Sequence, residues 1–399
     1  MDFSRDIFDN PPMTENNRAT PYQGFEQGPI RPPSEAQSLL VRVTRNCHWN
    51  RCTFCPVYKG SRFSIRPVEH VLRDLDAVAR HVEALSLLSA GPGLLLEEDV
   101  RKAFNAVPPE ETAPFRAALS WFVSGMESVF LQDADSLVLR PAGLIAVLTR
   151  LNELFPTVKR ITSYSRSATI DRMSADDLLA IRDAGLSRIH IGMESGCDAV
   201  LAMMHKGATK EVHVRAGLKV KAAGMELSEY YMPGLGGRDL WREHAQDTAD
   251  AMNRINPDFI RLRTLAIPDR APLAEEVRTG RFSKCPDLLV AEEILLFLDI
   301  LEGVTGYLAS DHVLNLFPEL EGRLPDDLQR MRDLIWAFLT MEPDTRFIYQ
   351  LGRRLGIMSR LADTEDPNRR AEVAEAAGRI GATPENLDEI TDVIVKRFI

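Results

Sequence analysis

Three of the five cysteines, Cys47, Cys52 and Cys55, crowd into the segment Asn46-Cys47-His48-Trp49-Asn50-Arg51-Cys52-Thr53-Phe54-Cys55-Pro56, spaced C-x4-C-x2-C. Thiolates this close in a polar loop are placed to grip one inorganic centre. Structural zinc takes four ligands, and a fourth would come from His48 or from far along the chain. A [4Fe-4S] cube also normally takes four thiolates; with three, one iron keeps an open position at which a small molecule binds. Cys197 and Cys285 lie far apart in sequence and read as small buried hydrophobes.

Other residues capable of chemistry follow short apolar runs. Gln132-Asp133-Ala134-Asp135 comes after Ser128–Leu131, Ser165-Arg166 after Val158–Tyr164, and Glu194-Ser195-Gly196 after Arg188–Met193. A carboxylate at the mouth of a buried strand is costly without a partner, which marks Glu194. Lys206, in Met203-Met204-His205-Lys206-Gly207, is a point charge, whereas His205 reads as a surface histidine. Arg261 and Arg263 alternate so as to share one face of a strand. An inward pair would suit an anionic substrate or a cofactor carboxylate. Asp311 and His312 mark the most polar punctuation of the C-terminal third, as pocket-lining groups or, for Asp311, a helix cap.

The elements that position these residues alternate. Strands are expected at 38–44, 128–132, 158–164, 188–193, 227–232 and 258–265. Helices are expected after Pro67, from Pro141 through Leu151, from the Ser174–Asp177 cap to Gly185, and from the fourth strand to about Gly224. Six strands separated by helices predict a parallel α/β sheet with right-handed crossovers, either doubly wound or curled into a partial (β/α)6 barrel. Three regions are expected: a flexible, Pro-rich N-terminal arm over 1–36, the α/β unit over 37–284 with a helical insertion at about 86–126, and a helical C-terminal region over 285–399. The arm is expected either to be mobile or to lie over the surface.

Composition narrows the class. Forty-eight basic against fifty-eight acidic side chains leave a formal charge of −10, which argues against general nucleic-acid binding. Apolar runs are short (Ile294–Leu298 is closed by Glu293 and Asp299), so no membrane span is expected. The N-terminus lacks the apolar run of a secretory signal, making the cytoplasm the default location.

With its cysteine loop, the aromatic Phe54 before the last cysteine, and the motifs after each strand, the chain resembles the radical S-adenosylmethionine (radical SAM) superfamily over about residues 38–270. Most members have three residues between the first two cysteines; here there are four, marking a variant branch. The resemblance implies a partial TIM-type barrel and a [4Fe-4S] cluster on Cys47, Cys52 and Cys55, whose fourth iron is chelated by S-adenosylmethionine (SAM). Reductive cleavage of SAM then gives a 5′-deoxyadenosyl radical that abstracts hydrogen from a small-molecule or peptide substrate. It further implies an electron donor such as flavodoxin or ferredoxin. SAM contacts are expected from Phe54, Gln132, Asp133, Asp135, Ser165, Glu194, Lys206 and Arg263, with Glu194 facing the ribose and Lys206 the carboxylate. The turn Pro233-Gly234-Leu235-Gly236-Gly237 would border the adenine. Resemblance to oxygen-independent coproporphyrinogen oxidases extends through the barrel layout, which licenses mechanism and not substrate. Two alternatives stand beside this reading: a colourless zinc-bearing binding protein, and a radical methyl or methylthio transferase. No cysteines for a second cluster and no cobalamin-binding region accompany the latter.

Overall fold

The computed structural model describes residues 21–89 and 94–396. The first part of the N-terminal arm and Pro92 lie outside the described residues.

In chain order the elements are β1 (Leu39–Arg42), β2 (Thr44–Arg45), β3 (Ser64–Ile65), α1 (Val68–Leu88), α2 (Glu97–Ala106), α3 (Thr112–Val123), β4 (Ser128–Gln132), α4 (Pro141–Leu154), β5 (Arg160–Ser165), α5 (Ser167–Arg172) and α6 (Ala175–Asp183). There follow β6 (Arg188–Glu194), α7 (Asp198–Met203), α8 (Lys210–Ala222), β7 (Glu226–Tyr231), α9 (Gly237–Ile255), β8 (Phe259–Leu262), α10 (Leu273–Arg278) and α11 (Asp287–Ile300). The chain ends with β9 (Tyr307–Ala309), β10 (Gly322–Arg323), α12 (Leu328–Leu339), α13 (Pro343–Leu355), α14 (Pro367–Ile380) and α15 (Leu387–Val395).

The main sheet runs β1-β4-β5-β6-β7-β8-β9-β10, with β1 and β10 as unpaired edges. Pairing is parallel from β1 through β9, and β10 closes the sequence antiparallel to β9. The sheet is therefore an unclosed barrel, and the six expected strands are the first six of its seven consecutive parallel members.

Strand alternation divides its two faces. Val41, Val129, Leu131, Ile161, Ile189, Ile191, Leu227 and Ile260 face the helices, joining Leu75, Leu144, Leu148, Val214, Met252 and Phe297 in one core. Each such side chain contributes about 1.5–3 kcal/mol on burial, which is what wraps the helices around the sheet. The other face carries Phe130, Tyr164, His190, Tyr230, Arg261 and Arg263, a ring-rich and polar interior.

Three features depart from the sequence expectation. The helix expected to run to Gly224 is two, α7 and α8, broken by a turn in which His205 and Gly207 have φ of 51° and 70°. α5 is an additional short helix. The C-terminal region, read as purely helical, adds β9 and β10 to the sheet; at three and two residues they are too short to show a period. The arm, for which two placements were open, lies over the surface from residue 21 onward and packs on the barrel. Glu26 binds Arg45 at 2.6 Å and Arg66 at 2.8 Å, Gln27 donates to the Leu40 carbonyl, and Glu35 is fully buried against Arg160. This strap covers the free edge of β1, a common means of protecting an unpaired strand.

Candidate active site

The cysteine loop spans residues 46–63 between β2 and β3, whose antiparallel pairing matches Thr44 with Ile65 and Arg45 with Ser64. That two-stranded clip brings the ends of the loop together. Asn46 and Asn50 take left-handed φ of 67° and 44°, tolerable for asparagine. Their side chains bond the loop across itself, Asn46 to the Arg62 carbonyl and Asn50 to the Tyr58 carbonyl, each at 2.6 Å. The middle of the loop is clamped from outside. Thr53 donates its amide to Met204 O at 3.1 Å and accepts from the Leu273 amide at 2.9 Å. The Trp49 indole donates to His205 O at 2.8 Å and lies between the guanidinium groups of Arg166 and Arg51. Gly207 is required at this contact, because a Cβ there would meet the Trp49 ring at 2.2 Å.

Cys47, Cys52 and Cys55 are all partly exposed free thiols. Burial pushes the Cys55 thiol up; Cys52 and Cys47 add to this, and Lys206 opposes it. The three sulfurs thus share one electrostatic neighbourhood that a cation faces. Among the described residues, no three His, Cys, Asp or Glu groups converge to hold a single metal ion. Thiolates of a cube each bind a different iron and need no common point. Cys197 and Cys285 are buried and separate from the loop, as expected of small core residues.

Glu194 and Lys206 meet beside the loop, Lys206 Nζ lying 3.5 Å from Glu194 Oε1 and 5.7 Å from the centre of the Phe54 ring. Phe54 itself packs among Cys197, Val200, Met204 and Leu235. Glu194 has φ of 66°, an unusual conformation for a side-chain-bearing residue, at a bulge between β6 and β7. Gly192 makes room for it: a Cβ there would sit 2.4 Å from Glu194 Oε1. Glu194 Oε2 is buried with no hydrogen-bond partner, an acceptor awaiting a donor.

The other expected contacts are placed differently. Gln132 is fully buried and ties down the strap, accepting from the Gly28 amide at 2.8 Å and donating to Ile30 O at 2.6 Å. Asp133, also fully buried, accepts from Arg42 at 2.7 Å, from the Asn46 amide at 3.0 Å and from the Tyr58 hydroxyl at 2.9 Å. Their hydrogen-bonding capacity is spent on holding the strap and the cysteine loop, so neither stands free at the mouth. Asp135 accepts from Ser165 at 2.8 Å and Thr169 at 2.5 Å, with His48 Nδ1 3.6 Å away. Burial raises Asp135 to about 6 and lowers His48 to about 4. Arg263 lies apart from this group, donating to Asp311 at 2.7 Å with its guanidinium over the Tyr230 ring. Arg261 binds the same carboxylate, so Asp311 is an ion-pair partner and not a helix cap.

Two contributors escaped the sequence reading. His244 places Nε2 3.2 Å from the Glu194 carbonyl and Nδ1 2.8 Å from Glu293. Glu293 also accepts from the Tyr231 hydroxyl at 2.7 Å and the Gly234 amide at 2.9 Å. His244 lies within the amphipathic α9 and Glu293 within the largely apolar α11, and nothing in their spacing marks either as a site residue. Only the apolar neighbours Ile294 and Leu295 hinted that Glu293 sits on a buried turn.

An open parallel barrel with a three-cysteine loop at the mouth defines the class. A family model, the radical SAM superfamily, matches residues 41–249, just over half of the chain, and the protein belongs to that superfamily. No curated protein matches it. Among solved structures, it is similar to coproporphyrinogen III oxidase (HemN) from Escherichia coli, 16% identical over 63% of this chain and 50% of that one, with a TM-score of 0.42. It is also similar to the radical SAM methyltransferase TsrM from Kitasatospora setae, 17% identical over 60% of this chain and 38% of that one, TM-score 0.39. A third is Elp3 from the archaeon Methanocaldococcus infernus, 16% identical over 44% of this chain and 46% of that one, TM-score 0.37. The chain thus spans half or less of the length of these three structures. Among the described residues no helix is long and apolar enough to cross a membrane.

Proposed function

We propose that this protein is a radical SAM enzyme in which Cys47, Cys52 and Cys55 hold a [4Fe-4S] cluster and the mouth of the barrel binds SAM. When bound and reduced by one electron, the cluster supplies the cleavage of SAM to methionine and a 5′-deoxyadenosyl radical that takes hydrogen from the substrate. The observation that carries this reading is the placement of the buried, unpartnered Glu194 Oε2 and its neighbour Lys206 beside the cysteine loop.

The residues divide the work. The β2–β3 clip and the Met204 and Leu273 clamps hold the thiols in place before the cluster arrives. Glu194 accepts from the ribose hydroxyls, and Lys206 offers a point charge to the SAM carboxylate. Phe54 and the Gly234–Gly237 turn wall the cofactor. Asp135 and Ser165 satisfy each other and buttress the base of the site. The arc from Tyr164 to Arg263 is left to the substrate, a small molecule or peptide. The strap over β1 and the C-terminal helices limit entry of water. The electron comes from a donor of the flavodoxin or ferredoxin kind in the cytoplasm.

The test is anaerobic reconstitution. About four irons per chain and a brown colour are expected, with SAM binding weakened by Glu194→Gln. A colourless protein that takes up zinc alone would overturn the reading.

A further inference from the structure

Inside the barrel, charge does not balance. Arg261 on β8 and Arg263 just beyond its end share one carboxylate, Asp311. Other charged groups around the interior have partners, Arg160 with Glu35, Arg188 with Glu226, Arg42 with both Asp133 and Glu26, and Lys206 with Glu194, while burial raises the unpartnered Glu229 carboxyl well above its ordinary range and so keeps it uncharged. The nearby groups that titrate add nothing, for burial and adjacent arginines hold His190 and His312 at about 4, and burial raises the phenols of Tyr164 and Tyr230. The arginine pair therefore carries one positive charge in excess, on side chains only 7% and 12% exposed. An uncompensated charge at that depth is expensive unless something arrives to meet it.

Polar atoms without a partner remain there as well. Arg263 Nη2 is buried and bonds nothing, and His312 Nδ1 is likewise buried without a partner. Arg263 stacks 4.3 Å above the Tyr230 ring, and the Tyr230 and Tyr164 hydroxyls lie 3.4 Å apart, so polar and aromatic groups gather on the inner face of the sheet. A guanidinium edge held this way suits the two oxygens of a planar carboxylate.

We propose that the substrate carries a carboxylate that seats on Arg263 and Arg261, with Tyr164, Tyr230 and His312 lining the same pocket. One negative charge neutralises the excess; a phosphate dianion would overshoot it. This rests on the assignment of the barrel mouth to SAM, which leaves the arginine pair free for the substrate.

The test uses the reconstituted, SAM-saturated holoprotein and three ring probes, benzoate, benzamide and phenyl phosphate, followed by calorimetric titration. Benzoate is expected to bind saturably and at least tenfold more tightly than benzamide, and more tightly than phenyl phosphate. Arg263→Met should weaken benzoate at least tenfold while leaving benzamide unchanged. Asp311→Asn, which removes the competing internal anion, should tighten benzoate several-fold. Cluster absorbance and SAM affinity, measured in the same samples, report separately on the assignment of the mouth. The proposal is overturned if benzoate does not bind, if benzamide matches it, or if phenyl phosphate binds more tightly. It is equally overturned if the two variants leave benzoate unaffected, or if Arg263→Met abolishes SAM binding with the cluster intact.

Discussion

His244 Nε2 lies 3.2 Å from the carbonyl oxygen of Glu194, so a helix residue fixes the backbone of the strained glutamate at the mouth. A carbonyl can only accept, so Nε2 carries the proton, and Nδ1 faces Glu293 at 2.8 Å. Glu293 comes from α11 and also holds Tyr231 and the Gly234 amide. The region after the six-stranded core thereby reaches the residues assigned to SAM.

Glu293→Gln breaks that relay. An amide has one acceptor oxygen, so it cannot serve Tyr231, Gly234 and the fully buried His244 together. We expect a stability loss of about 1–3 kcal/mol by urea unfolding, since a buried donor is left without its acceptor. Equilibrium dialysis should show weaker SAM binding at unchanged iron content.

Gly192→Ala probes the same residue from the other side. The added Cβ meets the mobile end of Glu194 and not backbone. The cost in stability should stay below about 1 kcal/mol. SAM affinity should nevertheless fall about tenfold, the equivalent of one charged hydrogen bond. Unfolding and dialysis on one preparation separate the two effects.

Asp133→Ala distinguishes a loop anchor from a cofactor contact. It strips Arg42, Tyr58 and the Asn46 amide of their common acceptor. Iron retention should drop, and stability should fall by about 1–3 kcal/mol, because the buried Tyr58 hydroxyl is left without an acceptor while Arg42 keeps Glu26. Affinity for SAM per bound iron should hold, as checked by iron assay alongside dialysis.

Acid should act through His190. Burial, with Arg261 and Arg188 adding to it and Glu35 opposing, lowers this fully buried imidazole to about 4. In the unfolded chain it titrates near 6.5, so there it takes up its proton first as pH falls. Its contribution is present above pH 6.5 and is lost progressively down to about pH 4. Relative to His190→Gln, the wild type should lose about 3 kcal/mol across that window, measured by urea unfolding at pH 7 and pH 4.

What was legible in the sequence was set by local chemistry. The second strand is found at the expected Ser128–Gln132, because a β-branched and aromatic run between polar ends needs no tertiary help to be read. Ser174 caps α6 by accepting from the Asp177 amide, as its spacing indicated. The share of Asp311 between Arg261 and Arg263 was half visible, since alternation placed the arginines on one face and only the fold brings Asp311 to them. Gln132 and Asp133 were half visible for the same reason. Their position after a strand suggested the cofactor, but the strap and cysteine loop, distant in sequence, claim their hydrogen bonds. β9 has three residues, and its pairing with β8 depends on a neighbour already in place.

The most direct measurement is product release from the reconstituted protein, given SAM and a strong reductant without air. The wild type is expected to yield methionine and 5′-deoxyadenosine in equal amounts, and Cys52→Ala to yield neither while losing its iron. A Cys52→Ala protein that keeps an intact cluster, or an iron-loaded wild type that leaves SAM whole, would contradict the account.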